Sequence, residues 1–96
     1  MIIIGGDMKI NPALRDEAVK AMAAMNAASQ ADAGCITYDF SADLVADDTF
    51  HLFEIWENEE VLAAHGQTAH MATFREVMAR VRVSGNIKRY RAEAMG

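Results

Sequence analysis

Two histidines five residues apart, His65 and His70, follow a strand-like run ending in Glu54 and Trp56, within the segment FHLFEIWENEEVLAAHGQTAHMATF at residues 50–74. A histidine beside an apolar pocket can take a proton from a phenol or hold a phenolate, because imidazole titrates around pH 6.5. His65 lies three and four residues after Leu62 and Val61, and His70 lies four before Phe74, so helical spacing turns both toward apolar stripes. A separation of five, interrupted by Gly66, is not the i, i+4 spacing with which one helix presents two ligands to a metal. There is no second cysteine and no HExxH, so no bound metal is expected. His51, among strand residues, reads as structural.

Glu54 alternates with Leu52 and Trp56 and is the one acid embedded in that apolar run. A buried carboxylate must be paired or protonated. The first expectation is an ion pair with a C-terminal arginine; a catalytic acid or base is the alternative. Trp56 reads either as core or as one wall of a pocket between sheet and helices. The methionines on helical stripes, Met22, Met25, Met71 and Met78, read as adaptable core filler. No GxSxG, P-loop, GxGxxG or acidic metal cluster is present, which leaves hydrolases, NTPases and dinucleotide enzymes unsupported.

These residues need elements to hold them. Ile2, Ile3 and Ile4 open a strand to about residue 10. Asn11 and Pro12 start a helix running to about Gln30, with Leu14, Ala18, Met22 and Met25 on its inner stripe. Asp32, Ala33 and Gly34 end it. Cys35 to Phe40 form a second strand with Ile36, Tyr38 and Phe40 on one face, and Thr49 to Glu57 return as a third. That third strand is apolar on both faces, Phe50, Leu52 and Trp56 against Phe53 and Ile55, and so needs cover on both. Asn58 caps a short helix ending at Gly66. Thr68 caps the next, with Met71, Phe74, Met78 and Val81 facing inward. Ser84, Gly85 and Asn86 read as a break before a last strand over residues 87–94. The order β-α-β-β-α-β predicts an α+β, ferredoxin-like fold with a four-stranded antiparallel sheet, a single domain over residues 1–96.

A chain of 96 residues buries only roughly 60–65% of its unfolded surface, so a second subunit is the expected cover for the sheet's other face. The net charge of −5 argues against nucleic acid, since phosphate neutralisation needs clustered cations. Yet six of the nine basic residues, Arg75, Arg80, Arg82, Lys88, Arg89 and Arg91, fall within residues 75–96. They read as a solvated face or as links between subunits. Cys35 is the one cysteine, expected as a buried small hydrophobe, and no signal or membrane-spanning run is visible, so the expected location is cytoplasmic.

Gly34-Cys35-Ile36-Thr37-Tyr38, Phe53-Glu54-Ile55-Trp56-Glu57, His65 and His70-Met71 with Phe74 resemble, in order and spacing, the antibiotic biosynthesis monooxygenase family, and its quinol monooxygenase branch in particular. The resemblance implies a dimeric α+β barrel, a homodimer whose two sheets pack face to face. It also implies oxidation of a quinol or related phenolic by dioxygen without flavin, haem or metal. Tyr38, Trp56, Leu52, Leu62 and Phe74 would line the cavity, His65 or His70 would serve as base, and Glu54 would orient one of them. The polyketide-oxidising branch has an asparagine and a tyrosine where this chain has Leu52 and Leu62, which points away from an anthrone handled by that polar pair. The alternatives are a small-molecule-binding stress-response barrel without turnover, or haem binding through His70.

Overall fold

The computed structural model describes all 96 residues. Strand β1 (Ile2–Ile10) leads through a 3-10 turn at Pro12–Leu14 into helix α1 (Arg15–Gln30). Strands β2 (Cys35–Ala42) and β3 (Thr49–Trp56) follow, then helices α2 (Glu59–Gly66) and α3 (Ala69–Val81), and strand β4 (Arg82–Arg91). The sheet order is β2-β3-β1-β4 with every neighbouring pair antiparallel. This is the ferredoxin-like α+β arrangement, with the second crossover helix broken into α2 and α3.

The caps act where the sequence places them. Asn11 Oδ1 accepts from the Ala13 amide at 3.0 Å, Asn58 Oδ1 from Val61 at 2.9 Å and Thr68 Oγ1 from Met71 at 3.2 Å. Each satisfies one of the amides that a helix start leaves without a partner. Gly34 adopts φ +78°, and a Cβ there would lie 2.6 Å from the Val61 side chain. Only glycine lets the chain leave α1 this close beneath α2.

All three helices cover one face of the sheet. Ile2, Met8 and Ile10 of β1, Tyr38 and Phe40 of β2, and Phe50, Leu52, Glu54 and Trp56 of β3 are buried on that face. Ala18, Met22 and Met25 of α1 and Phe74, Met78 and Val81 of α3 close over them. Burying Ile10, Met25 and Val81 this fully contributes about 1.5–3 kcal/mol each. On the opposite face Phe53 and Tyr90 remain 46% and 51% exposed.

Three expectations need correction. Ile36 leaves the stripe of Tyr38 and Phe40, because the β2–β3 register slips between Cys35 and Thr37, and it is 54% exposed. Ser84, Gly85 and Asn86 do not break the chain: α3 passes directly into β4 at Arg82, and these residues pair with Lys9, Met8 and Asp7. Cys35 is only half-buried.

Candidate active site

The break between α2 and α3 builds the centre of the site. His65 occupies the last turn of α2 and His70 the first turn of α3, while Thr68 joins them by donating its hydroxyl to the His65 carbonyl at 2.8 Å. Both imidazoles then converge on Asp32, in the loop after α1. His65 Nδ1 lies 2.7 Å and His70 Nε2 2.8 Å from the same oxygen, Asp32 Oδ2. Burial pushes the Asp32 carboxyl up, but the hydrogen bonds from His65 and His70 outweigh it and hold the group below the usual carboxylate value. An ionised carboxylate only accepts, so both ring nitrogens donate to it. In neutral His65 this leaves the lone pair on Nε2, the arrangement in which a carboxylate orients an imidazole base.

The His65 ring is buried at 4% exposure and packs on Trp56, with centroids 4.5 Å apart, and on Tyr38 at 5.5 Å. Trp56 turns its indole N–H to Glu54, donating to Oε1 at 2.8 Å. The pair stands two residues apart on one strand, so both side chains emerge on the helix-covered face. Burial pushes the Glu54 carboxyl up, and the Trp56 hydrogen bond and the Arg89 charge offset part of that rise. The expected ion pair with a C-terminal arginine is absent: Arg89 is the cross-strand neighbour of Ile4, one strand beyond Glu54, and no cation lies within salt-bridge distance of the carboxylate.

Two adjacent hollows open between this face and the helices. One, of about 400 Å³, is walled by Tyr38, Phe40, Leu52, Glu54 and Phe74. The other, of about 340 Å³, is walled by Glu54, Leu62 and His65. Ile4, Glu54, Met71, Arg75 and Arg89 belong to both. Burial and then the Glu54 charge push the Tyr38 phenol far up, so it stays a neutral donor. A more open depression of about 750 Å³ near the chain ends is lined by Glu57, Glu59, Glu60 and Glu93 and holds none of these groups.

The structure therefore divides the expected site residues. Tyr38, Leu52, Glu54 and Phe74 surround the first hollow, and Leu62 and His65 meet Glu54 in the second. Trp56 lines neither: of the two readings, core and pocket wall, its full burial matches the first, and it touches the site by its hydrogen bond to Glu54 and its packing on His65. His70 faces a separate groove of about 420 Å³ between α1 and α3. Asp32, which joins the two histidines, is not among the residues the sequence singles out; its one signal is an acid just before the Gly34 turn. Asp32, His65 and His70 present three donor atoms within 4.8 Å of one another, the set that could close on a cation.

Comparison with known proteins places this architecture. The family model described as antibiotic biosynthesis monooxygenase matches residues 1–77. An uncharacterized Synechocystis protein, sll1783, is 32% identical over 75 residues, which are 78% of this chain and 51% of that protein. The chain thus spans about half the length of that curated relative. YcnE of Bacillus subtilis, provisionally named a monooxygenase, is 28% identical over 77% of this chain and 78% of its own. Among solved structures, a Bacteroides thetaiotaomicron protein described as a possible oxidoreductase superposes with TM-score 0.83 at 30% identity, covering 93% of this chain and 94% of that one. A Deinococcus radiodurans protein provisionally named for the same family reaches TM-score 0.90 at 20% identity over 100% and 97% of the two chains.

Proposed function

The chain belongs to the antibiotic biosynthesis monooxygenase family, and from that premise we propose that it oxidises a quinol or related phenolic aromatic with dioxygen, using no cofactor. The observation that carries this reading is the imidazole of His65, tied to Asp32 through Nδ1 and bordering a hollow that it shares with Glu54. His65 Nε2 takes the phenolic proton. The resulting phenolate is electron-rich enough to give an electron to dioxygen, and the apolar walls of Leu52, Leu62 and Phe74 strip it of water and fix its orientation. Neutral Tyr38 donates a hydrogen bond to an oxygen that gains charge, and Glu54 borders the same hollow. One dioxygen atom ends on a ring carbon and the other in water. The four electrons come from the substrate, as a quinol with one ring C–H becomes a hydroxyquinone.

The reading includes a homodimer formed through the uncovered sheet face, supported by the exposure of Phe53 and Tyr90. A cytoplasmic setting suits the free thiol of Cys35. No helix is long and apolar enough to cross a membrane.

The test is oxygen uptake by chelator-treated, haem-free protein with reduced naphthoquinols and benzoquinols, corrected for autoxidation. Uptake above background should fall about 10²–10⁴-fold in His65→Gln, the usual worth of a positioned base. Undiminished uptake in that variant would remove the assignment. Saturable binding with no uptake would make the chain a binding protein instead.

A further inference from the structure

Resting on this reading of the site, we infer that the aromatic substrate carries an anionic substituent, which Arg89 of β4 receives across the sheet from Glu54, with Arg82 adding positive charge further along the same wall. In a chain of net charge −5, the 400 Å³ hollow has Arg75, Arg82, Lys88 and Arg89 on its wall and Glu54 as its one acid; Lys88 stands opposite Gly5, in the row next to that of Ile4, Glu54 and Arg89. Arg80 and Arg91 are paired, with Glu17 and Glu59, and Arg75 donates to the Gly66 carbonyl at 3.1 Å. Arg82 and Arg89 have neither a carboxylate partner nor a side-chain hydrogen bond within the chain.

Their placement is built into the strand. Arg89 shares a cross-strand row with Ile4 and Glu54 on the helix-covered face. Two strand spacings separate Glu54 from Arg89, about 10 Å between their backbones, enough for an aromatic ring with a phenol at one end and an acid at the other. Arg82 folds back over Gly85, where a Cβ would lie 2.1 Å from its guanidinium Nη2. The missing side chain at Gly85 makes room for that guanidinium beside the hollow. Both arginines are exposed, so an anion can reach them, and a guanidinium fork receives carboxylate and phosphate oxygens two at a time.

Calorimetric titration with three redox-stable probes, 1-naphthol, 5-hydroxy-1-naphthoate and 5-hydroxy-1-naphthyl phosphate, the two anions carrying phenol and acid on opposite rings, tests this without turnover. One or both anions should bind at least tenfold more tightly than 1-naphthol in 50 mM salt, and whichever does so identifies the acid. That preference should shrink in 500 mM salt, and disappear in Arg82→Gln/Arg89→Gln with 1-naphthol affinity unchanged. Equal affinity for all three probes, a preference that survives the double variant, or no binding of any probe would overturn the inference. Oxygen uptake with uncharged quinols would in that event still uphold the proposed function, so the two fail separately.

Discussion

Asp32 is hydrogen-bonded to His65, Glu54 shares a hollow with it, and the fold moves the two carboxyl groups in opposite directions. Burial raises Glu54, so the folded chain holds its proton more tightly than the unfolded one. Between the two pKa values the folded state binds more protons, and stability falls as pH rises through that window. Below the unfolded value, about 4.3, the penalty is absent; above the folded value it is fully present. Glu54→Gln keeps an acceptor for the Trp56 N–H but removes the buried charge. Its melting temperature should match wild type near pH 4 and exceed it at pH 8. A variant less stable than wild type at pH 8 would show that Glu54 is held there as a stabilising anion. Asp32 behaves the other way: lowered by its histidines, it stabilises above the unfolded value and loses that contribution as pH falls through the folded one. The sequence reveals Glu54 by contrast, as the lone acid in an apolar run. It hides Asp32, because an acid after a helix already has a local explanation, and its partners lie 33 and 38 residues away.

At the scale of elements, the α2–α3 break turns two histidines of unhelpful spacing into a convergent pair. Thr68 holds the break with both ends of its hydroxyl, accepting from Met71 and donating to the His65 carbonyl. Removing it should cost about 1 kcal/mol, the usual worth of an N-cap, and loosen the His65 ring. Urea denaturation of Thr68→Ala against Thr68→Ser measures this: the alanine variant should lose both stability and uptake, and serine should restore both. Alanine with full uptake would mean that Asp32 alone positions His65. Such elements are legible because capping is local: Asn11, Asn58 and Thr68 each announce a helix start. Ser84, Gly85 and Asn86 mislead because turn-forming residues have other uses. Gly85 makes room for a guanidinium three residues earlier in the chain, a contact that appears only once β4 is laid against β1.

The whole molecule is a thin slab, 39 × 29 × 18 Å, with helices on one side only. Its surface of 5956 Å² exceeds the roughly 5,400 Å² expected of a compact chain of 10.5 kDa, as a half-covered sheet should. The open face carries the row Ile55, Ile3 and Tyr90, with Phe53 beside it across Gly5. A stable interface hides about 800 Å² on each partner, within reach of a four-stranded face. The two-faced apolar pattern of β3 makes the apolar character of the open face legible in the sequence, since Phe53 and Ile55 alternate with the buried Leu52, Glu54 and Trp56. If a second copy covers the face, folding and association are linked, and the melting temperature rises with protein concentration. Phe53→Glu puts a charge at the centre of that face, far from the His65 side of the sheet. Sedimentation equilibrium should find a dimer for wild type and a monomer for the variant at micromolar concentration, with the variant melting lower and independently of concentration. A monomeric wild type whose melting temperature ignores concentration would mean that the exposed face is tolerated by a single chain, and that Ile3, Ile55 and Tyr90 serve no partner.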